Sequence, residues 1–178
     1  MDHRDAVNML RNAPLAIGAQ RWADLGCGTG TFTRALADLL PPGSSIAAMD
    51  RDASALEQVP EMHGTTRSTK HTGDFATGPL PETELDGILL ANALHFVHDQ
   101  AEFIRRATTY LKPTGAFLLV EYDTDSPNPW VPHPLSFATL ERLFTACGFA
   151  SVTRLAERPS AFGRARLYSV WAERGGAA

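Results

Sequence analysis

The chain has no excess of basic residues, few cysteines and no long apolar run. Its 178 residues carry a formal net charge of −4, so they supply no basic field for a phosphate backbone, and nucleic acid is not an expected partner. Cys27 and Cys147 are its only cysteines, which excludes a disulfide framework. No apolar run is long enough to span a bilayer, and we see no signal peptide. We therefore expect a cytoplasmic protein without a membrane partner.

The composition is that of one soluble globular domain. Hydrophobic residues make up 44% and charged residues 20% of the chain, which is long enough to bury a core. We expect a single domain over residues 1–178. Apolar periodicity and turn residues predict its elements. Helices are predicted at 3–12, 31–40, 53–59, 99–110 and 136–147, and strands at 20–25, 45–50, 64–71, 85–91, 115–121, 149–156 and 165–173.

The order of these elements predicts the fold class. Strands that alternate with helices indicate a parallel sheet. The segments 85–91 (LDGILLA) and 115–121 (GAFLLVE) are continuously apolar, as central parallel strands require. The last two strands have no helix between them, so they must pair as antiparallel neighbours. The prediction is an α/β fold with a single doubly wound, mostly parallel seven-stranded sheet and a C-terminal antiparallel hairpin.

A glycine-rich turn at residues 22–33, WADLGCGTGTFT, is the most informative feature of the sequence. An apolar strand runs into it and a helix-forming segment follows, which is the arrangement of a nucleotide-binding crossover. Asp50 ends the second strand, twenty residues past Gly30, where a carboxylate can accept hydrogen bonds from ribose hydroxyls. Cys27 lies inside the turn, and we interpret it as a structural residue, not a nucleophile.

The glycine spacing differs from that of a dinucleotide site. A G-x-G-x-x-G pattern counted from Gly26 needs a third glycine at the position of Thr31. The turn carries an acid instead, Asp24, two residues before its first glycine. A carboxylate there would repel a pyrophosphate but suits a ligand that has both a ribose and an ammonium group. An NAD-dependent oxidoreductase is therefore a disfavoured alternative.

With this acidic-x-G-x-G-x-G turn and Asp50, the chain resembles the class I (Rossmann-like) S-adenosylmethionine-dependent methyltransferases over nearly its whole length. Residues 91–97, ANALHFV, are similar to the A-N-A-[VL]-x-[WF]-V stretch of small-molecule methyltransferases. They lack the [DN]-P-P-[YFW] motif typical of enzymes that methylate amides and amines of DNA and proteins. The resemblance implies S-adenosylmethionine as cofactor, S-adenosylhomocysteine as product and a small-molecule methyl acceptor. A non-catalytic module that binds S-adenosylmethionine is the alternative.

The resemblance also assigns the cofactor-binding residues. The glycine turn holds the methionine portion, Asp24 contacts the amino group, and the backbone carbonyl of Asn92 accepts from the same group. Arg51 flanks the adenine, Asp74 binds its exocyclic amine, and Phe75 covers the ring. The full set of candidates is Asp24, Gly26, Cys27, Gly28, Gly30, Asp50, Arg51, Asp74, Phe75 and Asn92.

His95 follows the fourth predicted strand, close to the expected place of methyl delivery. It has three possible roles, as a general base, a substrate contact or a packing residue, and the sequence leaves all three open. His95 and His98 stand three residues apart, a spacing that can bind metal on a helix. Two imidazoles with Asp99 do not identify a metal site, so no metal is expected.

The proline-rich segment 123–134 is expected to be an ordered loop that lies over the site. Catalytic candidates are His95, Asp123 and His133, and substrate-binding candidates are His95, Tyr122 and Trp130. Residues 1–19 are expected to form a short helical lid, and residues 174–178 a frayed tail. A homodimer, in which a second subunit roofs the acceptor pocket, is one of the arrangements that the sequence allows.

Overall fold

A computed structural model describes residues 1–160 and 165–175. Its eight strands form one sheet in the order β3-β4-β2-β1-β5-β6-β8-β7. The strands are β1 (Arg21–Leu25), β2 (Ser45–Asp50), β3 (Met62–His63), β4 (Thr66–Thr72), β5 (Leu85–Ala91), β6 (Leu111–Tyr122), β7 (Ser151–Pro159) and β8 (Arg166–Glu173). The five strands β4, β2, β1, β5 and β6, which are adjacent in this order, run parallel to one another. Strand β8 is antiparallel to both of its neighbours, β6 and β7. The predicted α/β fold and its C-terminal hairpin are confirmed.

The predicted number of seven strands is wrong by one. Met62 and His63 pair antiparallel with the first residues of β4 and form a short additional edge strand, β3. The turn between these strands contains Gly64, whose φ of +59° suits a glycine in a tight reversal. The strand predicted at 64–71 is therefore β4, which begins two residues later, after this turn. The tail residues 176–178, predicted to be frayed, lie outside the described residues.

The described residues form five α-helices, and four of them begin at a polar cap. They are α1 (His3–Leu10), α2 (Thr31–Leu39), α3 (Ala53–Glu57), α4 (Gln100–Thr108) and α5 (Phe137–Ala146). The side chains of Asp2, Asp52, Asp99 and Ser136 accept hydrogen bonds from backbone N–H groups of the first turn of their helices. The N-cap of α2 is Gly30, which has no side chain to accept a hydrogen bond from the first turn. No side chain caps the first backbone N–H groups of α2, so this helix end is free to face a ligand at the loop.

The sheet is covered on both faces. Helices α4 and α5 pack on one face and helices α1 and α2 on the other. Buried residues of the first layer include Phe103, Ile104, Phe117, Phe144 and Tyr168, and those of the second include Ala6, Leu10, Trp22, Leu36 and Leu118. No helix of the described chain has the length and apolar character needed to cross a bilayer.

Helix α1 is part of the core as well as of the surface near the strand ends. Its apolar side buries Ala6, Met9 and Leu10. The backbone carbonyl of Met9 accepts a hydrogen bond of 2.6 Å from the Ser169 hydroxyl of β8. The segment predicted to be a lid is thus held firmly along one side of the sheet, and only its first residues reach a cavity.

Gly87 of β5 provides a test of this packing. A Cβ atom at this position would overlap the ring of Trp22, which is fully buried on the neighbouring strand β1. We expect Gly87→Ala to lower the free energy of unfolding by about 1–3 kcal/mol, the usual effect of overfilling a core. Gly18→Ala is the control, since no atom lies within 4 Å of its added Cβ. Equal stability of the two variants in urea titrations would contradict the described contact between β1 and β5.

Candidate functional site

The carboxyl ends of the parallel strands surround a cleft of about 360 Å³. Because ligands of doubly wound sheets bind at this edge, the cleft is the first candidate site. It is lined by Gly26, Asp50, Arg51, Asp52, Gly73, Asp74, Phe75, Ala76, Asn92, Ala93 and Phe96, and we call it the glycine-loop cleft. Six of the ten predicted cofactor residues are among these, namely Gly26, Asp50, Arg51, Asp74, Phe75 and Asn92.

The loop after β1 is held by the end of β2. The backbone N–H groups of Gly26 and Cys27 both donate to the carbonyl of Met49, at 2.8 and 3.1 Å. The Gly28 N–H donates to the Asp50 carboxylate at 2.7 Å. Gly26 has a φ of +73°, and a Cβ there would lie 2.9 Å from the Cβ of Ala93. Only glycine leaves this part of the cleft open.

Asp24 lies beneath the loop and is fully buried. One carboxylate oxygen accepts a 2.6 Å hydrogen bond from the Thr33 hydroxyl, and the other, Oδ1, has no partner. Burial raises the pKa of Asp24 to about 7; the Thr33 hydrogen bond opposes this shift and the charge of Asp50 adds to it. A buried carboxylate with one free oxygen is suited to receive a cationic donor.

Asn92 presents a second unpaired acceptor at the end of β5. Its φ of +55° is unusual for a residue other than glycine, and its backbone N–H donates to the Val120 carbonyl at 2.7 Å. The side-chain oxygen is buried without a hydrogen-bond partner, although the residue lines the glycine-loop cleft. Strained backbone and an unsatisfied acceptor at one position are typical of a binding site.

Asp50 and Asp74, the other two predicted acids, both hold backbone in place. The second oxygen of Asp50 accepts from the N–H of Asp52 at 2.9 Å. Asp74 accepts from the N–H of Ala76 at 2.9 Å and from the Thr77 hydroxyl at 3.2 Å. Each carboxylate therefore shapes the wall of the cleft that it lines, and each keeps lone pairs for a ligand.

Arg106 is a residue of this site that the sequence reading missed. Its guanidinium, on α4, donates to the carbonyls of Phe75, Ala76 and Gly78 at 2.7–2.8 Å. These bonds hold the loop that carries two predicted adenine contacts. The bonds link residues 28 to 31 positions apart in sequence, and the pattern of α4 contains no signal for them.

His95 forms a buried pair with Glu121. This glutamate lies near the end of β6, between Val120 and Tyr122. The His95 Nδ1 lies 2.6 Å from Glu121 Oε2, and the His95 backbone N–H donates to Oε1 at 3.2 Å. Both side chains are almost completely buried. Glu121 was not among the predicted site residues. An acid that ends an apolar strand, beside other strand ends, was the available signal.

The His95 ring is close to a lining residue of each of two cavities. Its centroid is 4.3 Å from that of Phe96, which lines the glycine-loop cleft, and 6.2 Å from that of Tyr122. Tyr122 borders a cavity of about 620 Å³, which we call the loop cavity. It is lined by Tyr122, Thr124, Asn128, Trp130, Val131 and Ala165.

The remaining predicted residues have different surroundings. Asp123 accepts from the Phe137 N–H at the start of α5 and lies 3.6 Å from the Arg154 guanidinium, so its contacts are structural. The His133 N–H donates to the His95 carbonyl at 3.0 Å, and the His133 ring contacts that of His98. Trp130 is 82% exposed at the rim of the loop cavity. The roles of these residues stay predictions.

The sheet order, the glycine loop and the cleft at the strand ends together define a Rossmann-like methyltransferase. A family model described as "Methyltransferase domain" matches residues 23–119, more than half of the chain. The chain belongs to this family and is an S-adenosylmethionine-dependent methyltransferase.

Individual proteins agree with this assignment. The chain is 28% identical over 149 residues to the "uncharacterized methyltransferase Rv0089" of Mycobacterium tuberculosis, which covers 84% of this chain and 69% of that protein. It is 37% identical over 107 residues to acetylserotonin O-methyltransferase of Mus musculus, covering 55% of this chain but only 27% of the relative. The YcgJ protein of Bacillus subtilis has the same fold, with a TM-score of 0.71 at 15% identity over 98% of this chain and 100% of that one.

The raised pKa of Asp24 predicts how cofactor binding depends on pH. Below a pH of about 7 the carboxyl is mostly protonated, and the predicted pairing of Asp24 with the ammonium group of S-adenosylmethionine would be lost. We expect the Kd to rise by about tenfold for each pH unit below 7, as measured by calorimetry between pH 5.5 and 7.5. Asp24→Asn should bind more weakly and show little pH dependence in this range. A wild-type Kd that does not change with pH would contradict the proposed contact.

Proposed function

We propose that this methyltransferase acts on a small molecule with an uncharged, largely apolar body. The observation that carries the proposal is the loop cavity beside Tyr122, whose described lining contains no charged side chain. Its volume of about 620 Å³ is in the range of pockets for small ligands, about 300–1,000 Å³. Acetylserotonin, the substrate named for one relative, is a molecule of this kind.

The glycine-loop cleft is the proposed cofactor site. The unpaired buried oxygens of Asp24 and Asn92 support them as acceptors for the ammonium group, and Asp50, which lines the cleft, is the proposed partner of the ribose hydroxyls. Phe75 and Asp74 form the wall proposed for adenine. When bound, S-adenosylmethionine supplies a methyl group that its sulfonium already activates, so the protein mainly orients the acceptor and excludes water.

His95 is the proposed general base for an acceptor that carries a proton. The hydrogen bond from Nδ1 to Glu121 leaves Nε2 as the proton acceptor, and the charge of Glu121 stabilises the imidazolium that forms. The ring is only 2% exposed. The neighbouring Phe96 is exposed and lines the glycine-loop cleft, so the ring lies close to the proposed cofactor site.

A labelled-cofactor experiment tests the acceptor class. The protein is incubated with S-adenosylmethionine carrying an isotopic methyl label and a metabolite extract, and products are identified by mass spectrometry. We expect the label in a neutral, apolar small molecule, with no transfer by heat-inactivated protein. Label on a macromolecule or on a highly charged metabolite contradicts the proposal. Cofactor binding without any transfer favours the non-catalytic module instead.

The His95–Glu121 pair can be tested once an acceptor is known. We expect His95→Ala to lower turnover by about 10²–10⁴-fold while the Kd of the cofactor stays near that of wild type. Glu121→Gln keeps a hydrogen-bond partner for His95 but loses the charge. Its turnover should therefore lie between those of the wild type and His95→Ala. His98→Ala, an exposed histidine of the same segment, is the control.

A packing role for His95 predicts a different result. In that case His95→Ala lowers the thermal midpoint, and turnover per folded molecule is unchanged. A buried histidine can both pack and catalyse. Turnover and thermal midpoint are therefore measured on the same preparation, so that the two effects are separated.

A further inference from the structure

Three side chains outside the methyl-transfer site bring potential metal ligands together. His3 of α1 and His63 of β3 both contact the carboxylate of Asp38 on α2, with Nε2 to oxygen distances of 2.6 and 2.7 Å. The three ligand atoms lie within 4.8 Å of one another. Among residues 1–160 and 165–175, no other set of three histidine, cysteine or acidic side chains is so close.

The donor set has a defined chemical preference. Two imidazole nitrogens and one carboxylate oxygen suit Zn²⁺ and neighbouring first-row metal ions, whereas Mg²⁺ and Ca²⁺ prefer oxygen ligands alone. Each imidazole Nε2 hydrogen-bonds to Asp38, and with its other nitrogen protonated each ring offers the Nε2 lone pair to a metal ion. Between 28% and 46% of each side chain is exposed, so an ion can enter and water can complete its coordination.

The three ligands come from three different elements. Asp38 is 35 positions from His3 and 25 positions from His63, so no local spacing motif in the sequence indicates the cluster. His63 reaches Asp38 because β3 folds back on β4, the short hairpin that the sequence did not predict. The rings of His3 and His63 are 5.8 Å apart between centroids, on the same side of the carboxylate-bearing helix.

We propose that His3, Asp38 and His63 bind one divalent transition-metal ion of the zinc class, which ties α1, α2 and β3 together. The site is independent of the acceptor chemistry. Asp2, which caps α1, and Asp5 in its first turn line a separate cavity with Asn92 and Tyr122, so the ion would fix a segment that borders two predicted site residues.

The test uses tag-free protein and Zn²⁺ as the probe. Calorimetric titration should show one equivalent of Zn²⁺ bound per chain, and Zn²⁺ should raise the thermal midpoint of the wild-type protein. His3→Ala, His63→Ala and Asp38→Asn should each weaken binding by at least about tenfold, the loss that even outer-shell partners can cause. His71→Ala, a histidine of β4 outside the cluster, should bind as wild type does.

Two results would overturn the proposal. One is a wild-type protein that takes up no saturable equivalent of Zn²⁺. The other is a titration in which the three variants bind as tightly as His71→Ala. Melting curves recorded without metal show whether each variant is folded, and His3→Ala, in the exposed first turn of α1, decides the matter if another variant is unstable.

Discussion

The site depends on the hydrogen bonds by which the end of β2 holds the loop after β1. The carbonyl of Met49 receives two N–H groups of this loop, and the Asp50 carboxylate receives a third. These bonds keep the glycines in left-handed conformations that open the cleft under Phe75. Asp50 therefore shapes the loop before any ligand is present, and a ribose contact would be a second use of the same side chain.

Two buried acids near the carboxyl ends of the strands have opposite hydrogen-bonding environments. Asp24 has an unpaired oxygen and a raised pKa, whereas Glu121 is fully engaged by the side chain and backbone of His95. An unpaired buried acceptor is costly in the folded protein unless a ligand provides the missing donor. The paired acid needs no ligand and instead sets the orientation of a histidine. The first arrangement is that of a binding group, and the second is that of a positioning group.

The sequence predicted what local patterns determine. The central strands, the glycine loop and Asp50 were found because apolar runs and residue spacing reflect the parallel sheet and its crossover. The edge strand β3, the Glu121 partner of His95 and the bonds of Arg106 were not found. Each depends on contacts between segments distant in sequence, or on a two-residue pairing too short to leave a periodic signal.

The proline-rich loop is tied to the same turn that carries His95. The His133 N–H donates to the His95 carbonyl, and Gln100 donates to the carbonyls of both Leu94 and His133. The end of the loop is therefore fixed, while Trp130 at its middle is exposed. In the described chain, the hydrogen bonds from this loop to the segment of His95 come from its His133 end and not from residues 124–130. A change at residues 124–130 would therefore leave intact both the bond between His133 and His95 and the pairing of His95 with Glu121.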